Sequence, residues 1–227
     1  WDRLHETNKK IKIREISKKI KDFSINKDLI KFINWFSMYN LAPKGMVLKM
    51  CLGNKNNILE IKNKVLPNNF TKKIILNLNS EQKNSLNNLK KNGNKFNVSV
   101  LQGLTGSGKT LVYFERIKEL IKNNKQALIL LPEIFLTNQF KDRFSEYFGF
   151  EPDIWHSKIT PKKKKIIWQG VMSGKVKLII GARSALFLPF KKLGIIIVDE
   201  EHDSSYKQDE SLIYNARDMA ISRASFE

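Results

Sequence analysis

The spacing of apolar residues divides the chain into two parts that differ in regularity. In the first part, the segment "DLIKFINWFSMYNLAP" (28–43) carries apolar residues at intervals of three and four, which predicts an amphipathic helix that ends before Pro43. Between 53 and 78 the stretches "GNKNN" and "LPNNF" are typical of turns, so we expect a short linker there.

From about residue 97 onwards the pattern becomes regular, because short apolar runs alternate with amphipathic segments. The predicted strands are "NVSVLQ" (97–102), "QALILLP" (126–132), "DIWH" (153–156), "KVKLIIG" (175–181) and "LGIIIVDE" (193–200), and the predicted helices cover 109–122, 134–148 and 161–173. Such alternation predicts an α/β lobe with a parallel sheet and right-handed crossovers. The last two strands are continuously apolar, as expected for strands covered on both faces.

Charge is the compositional feature that changes this picture. The 227 residues carry a formal net charge of +19, and an excess of Lys and Arg favours nucleic acid as a partner. The chain is also rich in Ile and Asn, which AT-rich coding DNA produces together with Lys, so the charge is only suggestive.

The single cysteine, Cys51, excludes an internal disulfide and a cysteine-based zinc site within this stretch. No apolar run reaches the ~18 residues of a membrane span, so no membrane is expected as a partner.

The segment "LQGLTGSGKT" (101–110) lies between a predicted strand and a predicted helix, and its glycines fit the pattern of a phosphate-binding loop. Glycines allow backbone N–H groups to approach phosphate oxygens, and the helix N-terminus adds a partial positive charge. We expect Lys109 to contact the β- and γ-phosphates of a nucleoside triphosphate and Thr110 to bind Mg²⁺. The predicted nucleotide-binding residues are Gly103, Leu104, Thr105, Gly106, Ser107, Gly108, Lys109 and Thr110.

The second chemical signal is "IIIVDEEHDSS", which places Asp199 and Glu200 directly after a predicted buried strand. Ligands of open parallel sheets bind at the carboxyl ends of the strands. One carboxylate there can hold Mg²⁺ and its neighbour can polarise an attacking water. Six acidic residues fall between 199 and 210 in a chain of strongly positive charge, and a magnesium–phosphate centre would explain that local reversal.

These motifs carry a resemblance to a known family. Asp199-Glu200-Glu201-His202 resembles the second motif of superfamily-two helicases, and the strings "VDEEHDSSYKQ", "GARSALFLPF" and "LPEIFLTNQF" resemble the bacterial primosomal replication-restart helicases. The resemblance covers 79–227 and extends weakly to 35–50.

For the fold and domain organisation, the resemblance implies a RecA-like ATP-binding lobe at 79–227. Residues 1–52 would be the C-terminal part of a small amino-terminal DNA-binding domain. The linker at 53–78 is then too short for the winged helix expected in that place. We further expect the chain to be an incomplete motor that stops at Glu227 before a second lobe.

The resemblance also implies a function. It implies ATP-dependent 3′-to-5′ DNA unwinding at stalled forks, with primosome assembly, by a cytoplasmic, nucleoid-associated bacterial protein. ATP and Mg²⁺ would be used, and zinc would be bound only in a further C-terminal part. The expected partners are DNA forks and single strands, other primosome proteins and single-strand-binding protein. Two alternatives stay open: a DNA- and nucleotide-binding module without turnover of its own, and another superfamily-two translocase, which "DEEHDSSYKQ" disfavours.

Individual roles follow from the same resemblance. The implied catalytic residues are Lys109, Asp199 as the magnesium carboxylate and Glu200 as the base, with Gln82 reading adenine. The residues implied in DNA binding or in its coupling to ATP hydrolysis are Glu133, Arg183, Ser184, His202, Tyr206, Lys207 and Tyr214. In the coupling loop, Leu212 and Ile213 replace an expected aromatic and an expected basic residue, which weakens that role.

Overall fold

The computed structural model describes residues 24–53, 77–91, 95–104 and 106–227. Its main feature is a four-stranded sheet of order β2-β3-β1-β4, in which all neighbouring strands are parallel. The strands are β1 (Gln126–Leu130), β2 (Asp153–Trp155), β3 (Leu178–Gly181) and β4 (Leu193–Val198). A separate two-stranded antiparallel ribbon is formed by β5 (Lys207–Gln208) and β6 (Tyr214–Asn215). The predicted α/β class with a parallel sheet is therefore confirmed.

Seven α-helices surround the sheet within the described ranges. They are α1 (Lys27–Tyr39), α2 (Lys44–Leu52), α3 (Ser80–Lys90), α4 (Lys109–Lys122), α5 (Asn138–Phe148), α6 (Pro161–Ser173) and α7 (Ala216–Phe226). Short 3₁₀ helices follow β1 (Glu133–Phe135), β3 (Arg183–Phe187) and β4 (Ser204–Tyr206). The bounds predicted for α4 and α6 agree with the structure.

Local capping explains where the helices begin. The Thr160 hydroxyl accepts a hydrogen bond from the Lys163 N–H, and Pro161 occupies the first turn, where its missing N–H costs nothing. The helix predicted over 134–148 begins later, at Asn138, because Thr137 provides the cap and accepts from the Phe140 N–H.

The central strand β1 is fully buried and separates two hydrophobic cores. On one face lie α4 and α5, whose rings pack around Phe114 at centroid distances of 4.9–6.2 Å. On the other face lie α1, α2, α6 and α7. Aromatic pairs at such distances stabilise a core beyond the area that they bury.

Helices α1 and α2 share this second core with the sheet. Phe36 of α1 lies 5.3 Å from the Phe187 ring and 5.5 Å from the Tyr214 ring, measured between centroids. The indole N–H of Trp168 donates to the carbonyl of Cys51 at 2.8 Å. Arg223 of α7 is fully buried, and its guanidinium lies over the Phe32 ring. Residues 54–76, which include most of the predicted linker, lie outside the described residues, so the predicted domain boundary stays a prediction.

The strand predicted at 97–102 is not formed. Residues 96–100 have no regular secondary structure and are exposed, with Val98 at 52% and Val100 at 87% exposure. An alternating apolar sequence becomes a strand only when another strand pairs with it, and no strand among the described residues pairs with this segment. As a result β4 is an edge strand, and Ile195 to Val198 are half-buried instead of covered on both faces as predicted.

The packing of α1 against the lobe can be tested by truncating Phe36, which is 0% exposed. We expect Phe36→Ala to lower the free energy of unfolding by about 3–5 kcal/mol, since it removes a buried ring that joins three elements. Met38→Ala on the same helix is the control, because Met38 is 73% exposed, and its effect should stay within about 0.5 kcal/mol. Urea unfolding of both variants measures this. Equal midpoints would show that α1 does not contribute to the core of the lobe.

Candidate nucleotide site and DNA-contact surface

The parallel sheet brings most of the predicted site residues to one edge. Asp199 follows β4, Glu133 follows β1 within three residues and Arg183 follows β3 within two. Because parallel strands end at the same edge, these residues lie on one side of the lobe. This carboxyl edge is the candidate functional site.

The glycine loop adopts the tight conformation that its sequence predicts. Gly106 and Gly108 have φ angles of 82° and 85°, in the left-handed region that glycine enters without strain. A Cβ atom on Gly108 would lie 2.4 Å from the side-chain amide nitrogen of Gln82 and would displace that amide, while the positive φ strains any other residue at this position. Helix α4 begins at the next residue, and its first N–H groups have no partner within the helix. The backbone cradle therefore fits a phosphate group. Thr105 lies outside the described residues.

The side chain of Lys109 is held by carbonyl groups of the glycine loop. Its ammonium donates to the carbonyl oxygen of Gly103 at 2.6 Å and lies 3.4 Å from that of Leu104. The ammonium thus lies where phosphate oxygens would compete with the two carbonyls. A charged oxygen forms the stronger hydrogen bond, so exchange of partners favours a phosphate.

The two predicted magnesium ligands are linked through Tyr113. The Tyr113 hydroxyl donates to Oδ2 of Asp199 at 2.8 Å and also interacts with the hydroxyl of Thr110, one helical turn earlier on α4. Burial, followed by the Asp199 charge, raises the pKa of Tyr113 well above its usual value, so the phenol stays protonated as a donor. The sequence reasoning missed Tyr113. The available signal was its position three residues after Thr110, which places both on one helix face.

Asp199 is fixed by three further contacts at the end of β4. Its N–H donates to the carbonyl of Leu130 at 3.1 Å, and its Oδ1 accepts from the Glu200 N–H at 3.1 Å. The Tyr206 hydroxyl lies 2.6 Å from the Asp199 carbonyl oxygen and 2.9 Å from that of Leu130. The carboxylate that we predict to bind magnesium is therefore held to the central strand.

Glu200 and His202 lie at the outer side of the site. Glu200 has a φ of 49°, which is uncommon for a residue with a side chain and often marks a functional position. Its Oε2 lies 3.9 Å from Nε2 of His202. His202 has 75% of its side chain exposed, which leaves the imidazole accessible.

Gln82 reaches the glycine loop, but both ends of its amide are engaged. Its oxygen accepts from the Asn79 N–H at 3.1 Å as part of a capping box at the start of α3. Its nitrogen donates to the Ser107 carbonyl at 3.0 Å. Reading adenine by a two-sided contact would require both bonds to be exchanged.

The residues predicted to contact DNA form two groups on the carboxyl edge. The Arg183 guanidinium donates to the carbonyl of Lys207, which joins the 3₁₀ helix after β3 to the β5–β6 ribbon, and Ser184 beside it is exposed. Glu133 accepts from the Ser157 hydroxyl at 3.4 Å. Glu133 borders a cavity of about 430 Å³ whose other lining residues are Ile134, Leu136, Lys141, Ile154, His156 and Lys158.

Two aromatic residues of the predicted coupling loop are not placed for base stacking. Tyr206 and Tyr214 are 1% and 4% exposed, because Tyr206 bonds the sheet edge and Tyr214 packs on Phe36 and Phe187. In this conformation neither ring is exposed enough to stack on a base, and the implied role of the two residues in coupling stays a prediction. Lys207 is exposed and pairs with Asp209 at 3.0 Å.

Among the described residues, no three His, Cys, Asp or Glu side chains gather into a metal site. Two protein ligands such as Thr110 and Asp199 are enough for magnesium, because phosphates and water usually provide its other ligands. None of the described helices is both long and apolar enough to span a membrane.

The chain is similar to known proteins over most of its length. Residues 75–222 match the family described as "Type III restriction enzyme, res subunit". "Replication restart protein PriA" of Rickettsia felis is 42% identical over 219 residues, which cover 95% of this chain and 33% of the relative. The proteins of the same name from Haemophilus influenzae and Bacillus subtilis are 52% identical over 126 residues and 46% identical over 127 residues. These two matches cover 56% of this chain, and 17% and 16% of the relatives.

The chain spans a third of the length of the Rickettsia felis relative that it matches. The family match covers the glycine loop, the Asp199–Glu200 pair and the Arg183 segment, which are the parts that build the carboxyl edge. The chain therefore belongs to the family described as "Type III restriction enzyme, res subunit", and it is similar to the replication restart proteins PriA.

Proposed function

We propose that this chain is the ATP-binding lobe of a DNA helicase that acts in replication restart. The observation that carries the proposal is the meeting of Thr110 and Asp199 through the Tyr113 hydroxyl. A hydroxyl at the start of the helix after a glycine loop and a carboxylate at the end of a neighbouring strand are the two protein ligands of magnesium in P-loop enzymes. That both side chains interact with one hydroxyl supports one common site for magnesium and the phosphates.

Each residue has a distinct part in ATP hydrolysis under this proposal. The backbone N–H groups of Gly106 to Lys109 and the Lys109 ammonium bind the phosphates, and Thr110 and Asp199 hold Mg²⁺. Bound Mg²⁺ neutralises charge on the phosphate oxygens. Glu200 has a left-handed backbone conformation. Its carboxylate orients and deprotonates the attacking water. Gln82 binds adenine after giving up its contact with the loop.

DNA and nucleotide are coupled through a short series of direct contacts. Arg183 and Ser184 contact phosphates of a single strand, which positions the strand without reading its sequence. Arg183 bonds the Lys207 carbonyl, and the neighbouring Tyr206 hydroxyl bonds the end of β4 at Asp199. A movement of Arg183 on DNA binding would therefore be transmitted to Asp199 through these hydrogen bonds and not through stacking of bases on aromatic rings. Glu133 extends the DNA-contact surface, and His202 senses the nucleotide beside Glu200.

The biological role is proposed from the relatives. Their name as replication restart proteins supports unwinding at stalled forks, and we infer 3′-to-5′ movement, primosome proteins and single-strand-binding protein as partners, and a place in the cytoplasm at the nucleoid. The nucleotide site is open on one side, since Gly103, Leu104 and Ser107 are exposed. This favours, as the second candidate, binding of nucleotide and DNA by this lobe with little turnover on its own.

The function is tested first by Lys109→Ala. Loss of charge-assisted hydrogen bonds worth about 1.5–3 kcal/mol each should weaken Mg-ATP binding at least tenfold. Binding of single-stranded DNA should stay within about twofold, since the ammonium faces the loop. Titration with a fluorescent ATP analogue and a gel shift without nucleotide measure the two effects. The control is Lys122→Ala, an exposed lysine at the other end of α4. Unchanged nucleotide affinity would contradict the proposed site, as would an equal loss of DNA affinity.

The role of Tyr113 is tested by Tyr113→Phe, which removes only the hydroxyl that donates to Asp199. Removing the outer partner of a metal ligand typically costs about 10–100-fold in metal affinity. We therefore expect the Mg²⁺ concentration needed for nucleotide binding to rise about tenfold, with binding in EDTA unchanged. Tyr147→Phe, which alters a buried phenol of α5 in the same core, should leave both values unchanged. If magnesium dependence is the same in wild type and Tyr113→Phe, Tyr113 does not orient the carboxylate.

A further inference from the structure

A cluster of lysines lies at the amino ends of the strands, opposite the nucleotide site. Lys125 directly precedes β1, Lys177 precedes β3 and Lys192 precedes β4. The three strands are neighbours, and the carbonyls of Lys177 and Lys192 accept hydrogen bonds from β1 at 2.8 and 2.7 Å. Lys175 and Lys191 lie close by in the same loops. We refer to these five residues as the amino-edge lysines.

A buried glutamine fixes the backbone that carries these lysines. Gln126 is 0% exposed, and its amide nitrogen donates to the carbonyls of Val171 and Val176 at 3.0 and 2.7 Å. Its amide oxygen accepts from the N–H groups of Lys191 and Lys192 at 2.8 and 3.0 Å. Both donors and both lone pairs of the amide are used. The two lysine-bearing loops are therefore held in one arrangement.

Three of these lysines, Lys177, Lys191 and Lys192, have no carboxylate partner among the described residues. Partial burial lowers the pKa of Lys177, and the charges of Lys192 and Lys191 lower it further, which means that the ammonium groups lie close enough to repel one another. The Lys177 ammonium bonds only a neutral oxygen, that of Asn124, at 2.6 Å. Repulsion between neighbouring ammonium groups destabilises the folded chain. An external anion bound between them would reduce that repulsion.

Glu227, a carboxylate that interacts with Lys125, is already paired with a buried arginine. Glu227 interacts with Lys125, but its Oε1 accepts from the buried guanidinium of Arg223 at 3.2 Å. Burial raises the pKa of Glu227, while Arg223 lowers it. Glu227 therefore stabilises α7, and Lys177, Lys191 and Lys192 are not among the groups with which it interacts.

We propose that the amino-edge lysines bind the phosphate backbone of duplex DNA. Ammonium groups bind phosphates as point charges and need no base contacts. Single-strand sites add exposed aromatic rings for stacking, and among the described residues at 122–125, 174–177 and 190–194 no large apolar side chain is exposed. The absence of stacking rings favours a duplex over a single strand.

This surface is separate from the carboxyl edge. The five residues of β1, at about 3.3 Å per residue, put about 15 Å between the two edges. The lobe would thus hold a duplex at one edge and the nucleotide with a single strand at the other. The proposal extends the proposed function but needs no ATP turnover, so each can fail without the other.

The proposal is tested with two triple variants of equal charge change. Lys177→Gln, Lys191→Gln and Lys192→Gln together remove three of the amino-edge lysines. The control combines Lys83→Gln, Lys91→Gln and Lys95→Gln, which are exposed lysines away from both the amino edge and the segment expected to belong to a DNA-binding domain. Both variants lower the net charge of +19 by three. Fluorescence anisotropy with a short labelled duplex, a labelled single strand and labelled polyglutamate measures affinity over a series of salt concentrations.

We expect the first variant to lose about tenfold or more in duplex affinity, and the slope of log affinity against log salt to fall by about 2.7, or 0.9 for each lost contact. The control should lose less than twofold, and in both variants single-strand affinity and Mg-ATP affinity should stay within about twofold, which also reports intact folding. Equal duplex losses in the two variants would overturn the proposal in favour of diffuse charge. Loss of polyglutamate binding with unchanged duplex binding would overturn it in favour of an acidic protein partner.

Discussion

The site depends on the parallel pairing of β1 with β4, which sets Leu130 opposite Val198 and so brings Asp199 to the carboxyl edge beside the end of β1. The register continues one residue beyond the strands, where the Asp199 N–H bonds the Leu130 carbonyl. The Tyr206 hydroxyl then lies between the two carbonyl oxygens. A slip of one residue would turn Asp199 away from Tyr113 and so separate it from Thr110, since alternate residues face opposite sides of a sheet. The proposed magnesium site therefore depends on strand register.

The same sheet explains why the lobe has two chemically different edges. Its strands all run in one direction, so the segments that enter them share one edge and the segments that leave them share the other. The leaving segments carry Asp199, Glu200 and Arg183, whereas the entering segments carry lysines on a backbone fixed by Gln126. Helix α1 adds a constraint of its own, because Phe36 touches both the Arg183 helix at Phe187 and the ribbon at Tyr214. Any movement of the Arg183 helix or of the ribbon must therefore be accommodated by α1.

Local signals predicted the parts of the structure that local chemistry determines. Pro161 and Gly174 delimit α6, and the glycine loop delimits the start of α4, so both helices were predicted with their observed bounds. The strand at 97–102 was predicted wrongly, because alternation shows that a segment can pair but not that a partner is present. The exposure of individual side chains could not be predicted from the sequence either. The pattern that identified Tyr206 and Tyr214 as aromatic loop residues could not show that their rings are buried.

The site residues divide in the same way. Lys109, Thr110 and Asp199 could be predicted as site residues because the chemistry expected of them requires a fixed spacing or a fixed place after a strand. Tyr113 was missed because its role depends on a contact with a residue 86 positions away. Gln82 was expected to be available for adenine, yet it caps its own helix and bonds the glycine loop. Contacts between distant segments are set by the packed fold and have no local pattern.

The central claim is that the backbone N–H groups at 106–110 and the Asp199 carboxylate form one Mg-ATP site. Amide hydrogen exchange of the 227-residue chain, with and without saturating Mg-ATP, tests it directly. The first N–H groups of α4 have no intrahelical acceptor and should exchange fast without nucleotide. The account predicts that Mg-ATP slows exchange at 103–112 and at Asp199 and Glu200, and leaves the amino-edge lysines unchanged. Protection that is absent from the glycine loop at saturation, or that appears only at the amino edge, would contradict the account.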